Sequence, residues 1–133
     1  MQLGKQVLFA MGLSLVFLII HILIASFKPG DLSMLILTLA VMVCMQVFAY
    51  GILKRNTRGR PLKFTDIFFF LSLTMVFSVL LLAFNSAYNP YVEQKPLNIS
   101  EILISLLIFP GIFTGIVTSV IWFAVARKQR VRP

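Results

Sequence analysis

Four acidic side chains, one histidine, one cysteine and one tryptophan are all that this 133-residue chain has of those residue types. Each scarcity removes a class of function. A lone cysteine excludes an intramolecular disulfide, a C-x-x-C redox pair and a cysteine-based zinc site within one chain. Cys44 stands inside an apolar run and is expected to be a small buried packing residue. The acids, Asp31, Asp66, Glu93 and Glu101, all fall at the ends of apolar runs or between them. That argues against a carboxylate cage for a metal and against the buried carboxylate of a proton-coupled antiporter. A haem held by two histidines would need its second ligand from another chain. Intramembrane proteolysis needs a nucleophile with a base, or several metal ligands, and the apolar runs hold neither set. The expectation is a non-enzymatic protein with no metal and no cofactor.

What the chain has instead is hydrophobic surface. It is 59% hydrophobic and 12% charged, with a mean hydropathy of +0.98. Soluble domains are about 45–50% apolar and roughly one quarter charged. Four apolar runs carry the excess, over about 7–27, 32–53, 66–88 and 101–126. At 1.5 Å per residue each is long enough for the roughly 30 Å hydrocarbon core of a bilayer. None alternates apolar and polar residues as the strands of a membrane β-barrel do. The first run is longer than the apolar region of a signal peptide and no A-x-A site follows it, so it is read as retained.

Punctuation between the runs is of the helix-ending kind. Lys28-Pro29-Gly30-Asp31 separates the first pair, a turn sequence expected to close a helical hairpin. Asn89-Pro90 ends the third run. Thr65-Asp66 reads as a helix start, with a hydroxyl cap and an acid at the positive end of the helix dipole. Asn98-Ile99-Ser100-Glu101 resembles a capping box. The fold expected is all-α: one membrane domain, a four-helix bundle of two hairpins.

Lysine and arginine set the orientation. Lys5, Lys54, Arg55, Arg58, Arg60, Lys63, Arg127, Lys128, Arg130 and Arg132 fall on one side of the four runs, and only Lys28 and Lys95 on the other. A ten-to-two split puts both termini and the middle loop in the cytoplasm. The same basic residues are expected to grip anionic headgroups on that face, each worth about 1 kcal/mol. Nucleic acid is not an expected partner despite the net charge of +8, because no folded surface outside the runs is there to present the charge.

Ionisable groups at membrane depth are costly and become site candidates by default. His21 is the one such group. Ala10, Ser14, His21 and Ala25 fall on one stripe of the first helix, and Thr74, Ser78, Asn85 and Tyr88 on a line of the third. With Glu101 and Ser105 at the start of the fourth, depth alone places His21, Asn85, Glu101 and Ser105 in one outer-half cluster, as a ligand site or as hydrogen bonds between helices. Gln46 is expected to bond between helices. Phe68-Phe69-Phe70 reads as a lipid-facing aromatic belt. Gly111-x-x-x-Gly115, with Thr118 on the same side, is spaced for close helix packing inside the bundle or against another subunit.

The plan as a whole resembles that of small four-span proteins of bacterial inner membranes. The near-absence of charge within the runs and the stripes of small residues point to a multi-pass cell-membrane protein acting as an accessory subunit or helix-packing partner, in a homo-oligomer or a larger complex. A small oligomeric transporter or channel is the competing expectation.

Overall fold

A computed structural model of the chain describes residues 3–28, 30–57, 63–88 and 98–131, with side chains through Arg127. Every element among the described residues is helical: α1 (Leu3–Ser26), α2 (Asp31–Thr57), α3 (Phe64–Tyr88), α4 (Ile99–Leu107), a π-helical turn (Ile108–Phe113) and α5 (Thr114–Val131). The last three run on as a fourth long helix. All four long helices are long and apolar enough to span a membrane.

The helix ends follow from local chemistry. Lys28 closes α1 in the left-handed conformation, φ 51°, and its N–H bonds the Ala25 carbonyl at 3.1 Å. A non-glycine residue there costs on the order of 1 kcal/mol. At the end of α2, Thr57 Oγ1 lies 3.0 Å from the Leu53 carbonyl and 3.1 Å from that of Lys54. The start of α3 differs from expectation. Lys63, not Thr65, occupies the cap: the Asp66 and Ile67 N–H groups bond its carbonyl, and its own N–H donates to Asp66 Oδ2 at 3.2 Å. The acid therefore acts by reaching back, as in half of a capping box. Asn98 caps α4, its Oδ1 accepting from the Ser100 N–H at 3.0 Å.

α3 is the central helix. It touches α1, α2, α4, the π turn and α5, whereas α1 packs only against α2 and α3 among the described elements. Of its span, 39% is buried, against 17–22% in the other three. Two apolar clusters fill the interior. Ala49, Leu53, Ile67, Phe70 and Leu71 form the first; Phe17, Met42, Met45 and Met75 form the second. Leu13 packs against both. Along α3 and the fourth helix the contacts step in opposite order. Phe64 meets Trp122 edge-on at 6.3 Å, Phe68 lies closest to Gly115, and Ser72 bonds Pro110.

Two expectations of facing are corrected. Cys44 is exposed, because α2 turns Met42, Met45, Gln46 and Ala49 inward and leaves Cys44 on the opposite face. The Phe68–Phe70 run is not a belt: Phe70 is wholly buried, Phe68 half-buried, and only Phe69 stands out at 49% exposure. Consecutive residues on a helix are about 100° apart, so three in a row cannot share a face.

Candidate functional site

The exterior of this bundle is more apolar than parts of its interior. Leu8, Leu15, Ile19, Phe48, Ile112 and Phe123 all face outward. Ser14, Gln46, Thr74, Ser78, Thr114 and Thr118 are wholly buried. Three of these polar residues form a seam between α1 and α3. Ser14 Oγ lies 2.7 Å from the Ala10 carbonyl and 3.0 Å from that of Thr74, and its single hydrogen serves one acceptor at a time. Ser78 Oγ lies 2.8 Å from the Thr74 carbonyl, 3.3 Å from Ser14 Oγ and 3.7 Å from Met45 Sδ. Neither amide atom of Gln46 has a hydrogen-bond partner among the described residues, nor has Thr118 Oγ1. The expected interhelical bond of Gln46 is therefore not made there.

A cavity of about 320 Å³ opens between α2, α3 and α4. Its polar lining is Thr38, Ser86, Asn98, Glu101 and Ser105; Met42, Val79, Leu82, Ala83, Ile102 and Phe109 form its apolar part. Asn98 and Glu101 are exposed, while Met42 and Val79 are 3% and 8% exposed. The cavity is thus polar at its mouth and apolar at its floor. Glu101 has no hydrogen bond or ion pair with any described residue.

The fold brings together half of the expected outer cluster. Glu101 and Ser105, one turn apart on α4, both line the cavity. His21 and Asn85 do not, and the four-residue cluster is corrected accordingly. His21 is half-buried, its ring centroid 6.2 Å from that of Phe17, and its Nδ1 is buried without a hydrogen-bond partner among the described residues. Depth along a helix was legible; rotation about its axis was not. Thr38, Ser86 and Asn98 were the members missed. Ser86 stands near the end of its run and Asn98 just before the start of the next, which was the available signal; Thr38, within its run, gave none.

Below the cavity lies the π turn. Pro110 has no N–H to give, so the Leu106 carbonyl loses its α-helical donor. The wider turn absorbs this: the Thr114 N–H bonds the Phe109 carbonyl five residues back, and Thr114 Oγ1 lies 3.3 Å from the same oxygen. Pro110 is buried and Gly111 exposed as a result. A Cβ built on Gly111 meets nothing within 4 Å, and one on Gly115 meets only Phe68 Cε2, at an ordinary 3.7 Å. Close backbone packing at Gly111 inside the bundle is therefore corrected. Thr118, expected on that face, points inward instead.

Of the basic residues, Lys54, Arg55, Lys63 and Arg127 are exposed. Arg58, Arg60 and Arg132 lie outside the described residues, as do the side chains of Lys128 and Arg130. No three His, Cys, Asp or Glu residues among those described come together to hold a metal ion. Comparison with known protein families, curated proteins and solved structures gives no match. A functional reading therefore rests on the geometry.

Proposed function

We propose that this chain is a multi-pass protein of a cell membrane, of the bacterial inner-membrane kind, that works through helix contacts as an accessory subunit rather than by chemistry of its own. The observation that carries the reading is the inverted surface: outward leucine, isoleucine and phenylalanine on four long helices, with hydroxyls and an amide enclosed. In water that arrangement would expose large apolar patches; in lipid it is the favoured one. The helices cross in alternating directions as two hairpins. The basic residues hold the 54–63 loop and both termini in the cytoplasm, against anionic headgroups.

Isolation in mild detergent tests the accessory role. Other membrane proteins that co-purify in fixed proportion support it, and a monomer that brings none contradicts it. The open cavity favours a second reading, a small oligomeric transporter or channel. A symmetric homo-oligomer in the same experiment supports that one.

A further inference from the structure

We propose that the cavity between α2, α3 and α4 binds an amphiphilic organic ammonium ion, its charged head at Glu101 and its apolar body against Met42, Val79 and Phe109. Charge decides the first part. Among the described residues, Glu101 is the one acidic side chain in the lining, and no lysine, arginine or histidine joins it. An anion is repelled there, and a neutral occupant would strip water from the carboxylate with nothing in return. A cation offsets that cost. The positive end of α4 opposes a cation, but it amounts to about half an elementary charge, and Asn98 already takes up the Ser100 N–H. The whole negative charge of Glu101 outweighs it.

Among the described residues nothing engages Glu101, which leaves it available for the role. Its position, three residues after the Asn98 cap, is that of the acid in a capping box. Unlike Asp66 on α3, it makes no bond back to the cap among the described residues.

Lining chemistry decides the second part. An alkali or divalent metal ion needs about six oxygen ligands packed close around it. Here one carboxylate and scattered hydroxyls rim a cavity whose floor offers carbon and sulfur. An ammonium on an apolar body fits both halves. The N–H or N–CH groups face Glu101 and the hydroxyls of Ser86 and Ser105, and the body meets Phe109. The volume of about 320 Å³ lies at the lower end of small-ligand pockets. Two sources supply this chemistry: the amine headgroup and upper chain of a phospholipid, or a water-soluble alkyl or aryl ammonium ion.

The test uses the full chain in nanodiscs of phosphatidylglycerol, with benzyltrimethylammonium as probe and neopentylbenzene as its uncharged isostere, read by equilibrium dialysis. Saturable binding of the cation, tighter than that of the isostere, is expected. Glu101→Gln weakens the cation by up to about fivefold, the worth of an exposed charge pair, and does not weaken the isostere. Ala83→Leu, which fills the cavity from α3, abolishes both. Circular dichroism and melting curves check that each variant keeps its helices.

No saturable binding by the unaltered chain overturns the proposal, as does equal cation binding by Glu101→Gln. So does an isostere that binds as tightly as the cation. Where the site binds, a second set of discs containing phosphatidylethanolamine assigns the source. Competition by that lipid identifies the membrane amine, and undiminished probe binding identifies a soluble cation. Nanodiscs present both faces, so this result is independent of the orientation proposed above.

Discussion

The Ser72 hydroxyl on α3 donates to the carbonyl of Pro110, 3.1 Å away, in the widest turn of the fourth long helix. Proline opens that turn by withholding an N–H, and the central helix supplies a hydroxyl to one of the carbonyls involved. The bond fixes the turn where it serves a purpose: one extra residue in the turn rotates everything after it by about 100° relative to a continuous α-helix. Thr114 and Thr118 point inward because of that rotation.

Pro110→Ala therefore destabilises the protein, although alanine is the better helix former by about 3 kcal/mol in a regular helix. With its N–H restored the turn relaxes towards α geometry and carries Thr114 and Thr118 out of the core. Ser72→Ala costs less, about 0.5–1.5 kcal/mol, the net worth of one such hydrogen bond. Unfolding in mixed detergent measures both. A Pro110→Ala variant more stable than the parent contradicts this account of the turn.

The seam between α1 and α3 gives a coupled pair. Ser14→Ala and Ser78→Ala each remove one hydroxyl from a shared set of acceptors. Their double-mutant cycle is expected to show a coupling of roughly 0.6 kcal/mol, the average for such bonds between membrane helices. Strict additivity would place the two hydroxyls in separate roles.

Gln46 and His21 make the opposite case. Both carry buried polar atoms without hydrogen-bond partners among the described residues. Replacing such a group by an apolar one of similar volume removes its desolvation penalty, about 1–3 kcal/mol. Gln46→Leu and His21→Leu are expected to raise the unfolding midpoint. A lowered midpoint for either would reveal a partner that the folded protein supplies to that side chain.

Gly111 and Gly115 separate folding from assembly. Gly111→Leu points a side chain away from the bundle and changes the stability of the single chain by no more than about 0.5 kcal/mol. Gly115→Leu presses on Phe68 and costs about 1–3 kcal/mol. Size-exclusion chromatography of the same variants reads assembly. Loss of an oligomer in Gly111→Leu alone assigns this face to contact between chains, and a large loss of single-chain stability there contradicts the exposed placement.

How much of this was legible beforehand follows from the kind of signal. Helix existence was plain, since four long apolar runs leave little alternative. The Asn98 cap was readable from its own chemistry, whereas at α3 a hydroxyl at Thr65 drew attention from the backbone of Lys63. Facing was the part that failed. A helix that is apolar on all sides carries no pattern to say which side turns inward, so Cys44, Phe70, His21 and Asn85 could not be oriented. Glu101 and Ser105 were placed together because four residues along one helix is a local relation. The π turn was hidden for a different reason: Pro110-Gly111 announced a break, but whether a break bends, ends or widens a helix depends on the hydroxyl of Ser72, thirty-eight residues away.

The central claim is a four-span membrane protein with both ends inside, and cysteine accessibility in intact cells tests it most directly. Single cysteines are introduced at Thr57, Val92 and Val131 in a Cys44→Ser background and treated with a membrane-impermeant maleimide. The account expects Val92→Cys to label in intact cells, and Thr57→Cys and Val131→Cys to label only after permeabilisation. Labelling of Thr57→Cys or Val131→Cys in intact cells, or protection of Val92→Cys, would contradict it.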